Sequence, residues 1–110
     1  MSAAPSPMES LRRLAPEFAE NQMDAKALLF EHPNYQAIPA KYKILIGIAA
    51  AAALGSEMCT EMWARQAKEK GLSDREIVEA VLVARFMKQA TVNDTAAKMF
   101  AGLTEATPAS

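Results

Sequence analysis

The sequence is poor in the side chains that most often do chemistry: its 110 residues include one cysteine and one histidine. A lone thiol cannot close an internal disulfide. The opening stretch Met1-Ser2-Ala3-Ala4-Pro5-Ser6-Pro7 lacks the charged and apolar regions of a secretory signal, so a reducing cytoplasm is the expected location. A basic block is also missing. Twelve Lys and Arg against thirteen Asp and Glu leave a net charge of −1, with no run of cations to neutralise phosphates, so neither nucleic acid nor an anionic membrane surface is an expected partner. Nor is there a long apolar run. Ile44 to Leu54 is the longest and falls well short of the roughly 20 residues a membrane span needs, so it reads as a buried helix.

What is present points to an all-α fold. Aromatics make up 6% of a chain that is 51% hydrophobic and rich in alanine, a balance that favours closely packed helices over a sheet. The length suits one domain. Its body is expected over residues 8–103, between flexible ends at 1–7 and 104–110, which are small, polar and proline-containing.

The punctuation along the chain predicts about five helices. A first helical stretch begins near Met8, restarts at Pro16 and runs to about Phe30, with Phe18, Ala25, Leu28 and Leu29 on its apolar face. Glu31-His32-Pro33-Asn34-Tyr35 breaks it, since the residue before proline is pushed out of the helical region. A second helix over 40–54 is apolar around its whole girth after Lys41 and Lys43, and so belongs at the centre of a bundle or an interface. Gly55 can end it with a positive φ, and Ser56 is placed to cap a third helix that runs to about Lys70 before Gly71. Ser73-Asp74-Arg75-Glu76 matches a capping box and starts a fourth helix through Met87, apolar enough to want a partner subunit. A last helix over 91–102 turns Val92, Ala96, Met99 and Phe100 inward and Asp94 and Lys98 to water.

Cys59 is the strongest candidate for chemistry. With Ser56 as cap it sits at the third helical position, where free amides and the positive end of the helix dipole favour a thiolate. Glu57 and Glu61 oppose that with like charge and could handle protons. Met62 and Trp63, on the face of Cys59, cannot accept a proton, and His32 lies far away along the chain. Met58, Met62 and Trp63 are the candidate lining of an apolar pocket, or ordinary core. Met58, Cys59 and Met62 are soft enough for Cu(I), but Cys59 points about 100° from the two methionines, so no metal or other cofactor is expected. Arg85 and Lys88 could pair with Glu61 or Glu79 in an oligomer, and Tyr42 and Lys43 could line the pocket.

Three stretches carry a resemblance. They are Ile38-Pro39-Ala40-Lys41-Tyr42-Lys43-Ile44-Leu45-Ile46, then Ala53-Leu54-Gly55-Ser56-Glu57-Met58-Cys59, then Ala67-Lys68-Glu69-Lys70-Gly71-Leu72-Ser73-Asp74-Arg75-Glu76-Ile77-Val78-Glu79-Ala80. Over about residues 38–90 the chain resembles the carboxymuconolactone decarboxylase and AhpD-like (alkylhydroperoxidase) family. The resemblance implies a helical bundle around a buried helix hairpin, assembly into trimers or hexamers, and thiol-dependent peroxide reduction with a small-molecule substrate or an external thiol reductant. Thiol-active members carry Cys-x-x-Cys, a histidine four residues on and a glutamate upstream. Aligned from Gly71, Ser56 takes the first cysteine's place and Cys59 that of the peroxide-reducing second. Trp63 takes the histidine's place, Ile44 or a neighbour the glutamate's, and Met58 that of a further histidine in AhpD itself. The resemblance therefore implies a single-cysteine redox protein with Cys59 as nucleophile, Ser56 as cap and donor, and Glu57 and Glu61 nearby. The other reading is a non-catalytic oligomeric binding or scaffold protein with an apolar pocket near Trp63.

Overall fold

A computed structural model describes residues 4–106 of the chain, and among them every regular element is helical. Six α-helices and one short 3-10 turn follow one another, and they divide into two compact units, Met1–Lys43 and Ile44–Ser110.

In the first unit α1 (Pro7–Leu14) packs on α2 (Pro16–Glu31). Ser6 starts α1 with a complete capping box: its Oγ accepts the Glu9 N–H at 3.2 Å, and the Glu9 carboxylate accepts the Ser6 N–H at 3.1 Å. Ala15 separates the helices. Its N–H closes α1 on Leu11 O, its carbonyl accepts from Phe18 and Ala19, and Pro16 opens α2, where a missing N–H costs nothing. Pro33–Tyr35 forms the 3-10 turn, started by His32, whose Nδ1 accepts the Asn34 N–H at 3.1 Å. The Lys43 ammonium donates to Leu29 O at 2.6 Å, near the end of α2, and to Tyr35 O, so a cation closes both elements.

The second unit takes most of α3 (Ala40–Leu54), with α4 (Glu57–Glu69), α5 (Asp74–Thr95) and α6 (Ala97–Ala106). On α3 the buried residues Ile44, Ile48 and Ala51 recur at the helical repeat, and Ala67, Leu72 and Ala84 complete the buried set of this unit. The α3–α4 and α4–α5 corners use glycine. Gly55 has φ +82° and Gly71 φ +85°, conformations that an L side chain resists. Each corner closes as a Schellman motif. Ser56 N–H reaches back to Ala51 O and Gly55 N–H to Ala52 O, and the same pattern joins Leu72 to Ala67 and Gly71 to Lys68.

Several expectations need correction. Helix reaches into both end segments expected to be flexible, starting at Pro7 and ending at Ala106, while residues 1–3 and 107–110 of those segments lie outside the described residues. The long apolar helix does not stop near Met87: α5 continues to Thr95 and the break falls at Ala96. Thr91 lies inside the helix with its hydroxyl donating to Lys88 O (2.6 Å), and Thr95, its last residue, donates likewise to Thr91 O (2.8 Å), both back onto their own helix. Phe18, Leu28 and Leu29 are exposed, and the buried residue of α2 is Ala19. Val92, Met99 and Phe100 are likewise exposed within the single chain.

Candidate functional site

Cys59 owes its position to the α3–α4 corner. The Schellman bond that ends α3 uses the Ser56 N–H, and the same serine then begins α4. Its Oγ accepts the Cys59 N–H at 3.3 Å, and its carbonyl accepts both the Thr60 N–H at 3.0 Å and the Thr60 hydroxyl at 2.6 Å. One residue therefore ends one helix and starts the next, and Cys59 is held at the third position of α4 by its backbone.

Three helices begin with serine followed three residues later by a residue that completes or departs from the cap. In α1 and α5 that residue is a glutamate, Glu9 or Glu76, whose carboxylate returns a bond to the serine N–H. In α4 it is Cys59, and the serine N–H is already taken by Ala51 O. The Cys59 side chain thus occupies the place of a capping carboxylate while the cap is complete without it. The thiol is free and half-buried.

Glu57 and Glu61 flank it on α4 and are both exposed. Met58 and Met62 are 54% and 41% exposed, so neither seals the site. Trp63 is half-buried with its indole over Gly47 of α3, where a Cβ added to the glycine would stand 3.8 Å away. Ile44 is buried at 4% exposure. The positions where the resemblance led one to look for a base and a carboxylate therefore hold packing residues.

His32 spends its Nδ1 on the 3-10 turn of the first unit, and its ring lies 5.9 Å from that of Tyr35. Lys43 is engaged by Leu29 and Tyr35, while Tyr42 is half-exposed with the Lys41 ammonium 5.2 Å above its ring. Lys88 reaches Ala53 O at 3.4 Å, on the last turn of α3, a cation at the negative end of a helix. Among the described residues no group of three or more His, Cys, Asp or Glu is arranged to hold a metal, and no helix is long and apolar enough to cross a membrane.

Among the described residues the second unit carries an apolar groove and a second, more polar depression. The first, about 340 Å³, is an apolar groove between Leu45, Ile46 and Ala49 of α3 and Ala80 and Val83 of α5, with Glu76 and Glu79 at one end. The second, about 500 Å³, is lined by Glu61, Ala64 and Arg65. Neither is lined by Met58, Met62 or Trp63. Sequence reasoning missed the groove. The exposed Ile46 and Val83 were visible only as members of apolar runs, and nothing in their spacing says that two such helices leave a furrow between them.

The chain matches the model of the carboxymuconolactone decarboxylase family over residues 16–101. It is similar to a protein from Methanobacterium thermoautotrophicum known by its crystal structure, with 26% identity and a TM-score of 0.73 over 80% of this chain and 96% of that one. No curated protein matches it.

Proposed function

Since the chain belongs to the carboxymuconolactone decarboxylase family, we propose that it is a thiol-dependent redox protein of the AhpD-like type in which Cys59 works alone. The observation that carries this reading is the α4 cap. Cys59 stands where a capping glutamate stands in α1 and α5, yet its side chain takes no part in the cap and is half-exposed beside the helix start. The first amides of a helix direct their partial positive charge toward this end of α4.

The reaction is peroxide reduction. The Cys59 sulfur attacks one peroxide oxygen, the O–O bond breaks, and the leaving alkoxide takes up a proton from solvent; the products are an alcohol and a sulfenic acid on Cys59. No second cysteine exists to resolve it. An external thiol condenses with the sulfenic acid, releasing water and forming a mixed disulfide, and a second external thiol then restores Cys59 and leaves as the disulfide. Without a neighbouring base, turnover forgoes the roughly 100-fold or greater gain that general-base assistance brings. Muconolactone decarboxylation is not proposed, because Trp63 occupies the position of the histidine that the resemblance assigns to it.

The chain works as a homo-oligomer, a trimer or hexamer, in the cytoplasm. Val78, Leu82 and Phe86 of α5 and Phe100 and Leu103 of α6 are each about half-exposed or more in the single chain, large apolar side chains that association would cover. Burial of Ile44 and packing of Trp63 over Gly47 favour a second reading, a non-catalytic binding or scaffold protein, because both put bulk where chemistry would need a proton carrier. Trapping with a sulfenic-acid reagent after substoichiometric peroxide separates the two. The redox reading expects the adduct on Cys59, and its absence from folded protein supports the scaffold.

A further inference from the structure

We draw no further inference here: the strongest candidate, the apolar groove between α3 and α5 walled by Leu45, Ile46, Ala49 and Val83, carries nothing because nothing in the structure shows what covers it.

Discussion

The α3–α4 and α4–α5 corners of the second unit are built from the same parts and put to different use. At Gly55 and at Gly71 a helix ends in a left-handed glycine with paired Schellman bonds, and a serine starts the next helix. At the second corner Leu72 is inserted between glycine and serine and buried at 4% exposure. Glu76 completes the capping box, and Lys68 pairs with Asp74 at 2.7 Å across the turn. At the first corner nothing is inserted, Ser56 serves both helices, and the residue in the place of Glu76 is Cys59. The second corner therefore spends its side chains on stability, while the first reaches the same turn with backbone and one hydroxyl. That leaves a thiol unspent.

The largest difference between them should come from Leu72. Leu72→Ala removes a buried side chain that the first corner has no equivalent of, and should cost about 2 to 5 kcal/mol in urea unfolding. A loss below about 1 kcal/mol would mean that Leu72 is not an anchor. Next in size are the glycines. Gly55→Ala and Gly71→Ala should each cost about 1 to 2 kcal/mol, and nearly equally, because a Cβ meets no atom within 4 Å at either position and only the backbone conformation is penalised. A clear inequality would break the claim that the turns are equivalent.

Smaller still is the coupling within each cap. Ser73→Ala should cost about 1 kcal/mol, as should Ser56→Ala. In double-mutant cycles Ser73 and Glu76 should couple by about 0.5 kcal/mol or more, since each satisfies the other's amide, whereas Ser56 and Cys59 should be additive to within about 0.3 to 0.5 kcal/mol. Coupling of similar size at both corners would show that the thiol takes part in the cap after all.

Much of this was legible in the sequence because it is written in residues with few structural alternatives. Gly55 and Gly71 mark left-handed turns, Ser56 and Ser73-x-x-Glu76 mark starts, and Pro16 and Pro33 sit at first positions, so the ends of α2, α3 and α4 fell close to where they were expected. The same Ser-x-x-Glu signal was present at Ser6 and Glu9 and was passed over in favour of a flexible terminus. The α5–α6 break carries no such mark. Ala96 is neither glycine nor a capping residue, and the threonines before it turn their hydroxyls onto their own helix.

Burial was harder to read. Phe18, Leu28, Phe86 and Phe100 have the composition of a core, yet a single chain leaves them exposed, because periodicity says which residues share a face and not what covers it. At the site, the position of Cys59 on α4 followed from Ser56, but the packing of Trp63 over Gly47 and the use of Lys43 by Leu29 and Tyr35 depend on contacts distant in sequence.

If Cys59 is structurally dispensable and chemically active, paired measurements on Cys59→Ser and the unmodified chain will show both. Unfolding free energies should agree to within about 0.5 kcal/mol. Under peroxide, the folded unmodified chain should form a trappable sulfenic acid on Cys59, and peroxide consumption with an external thiol should disappear in the variant. A variant destabilised by more than about 2 kcal/mol that consumes peroxide as fast as the unmodified chain would make Cys59 a packing residue and the corner a purely structural turn.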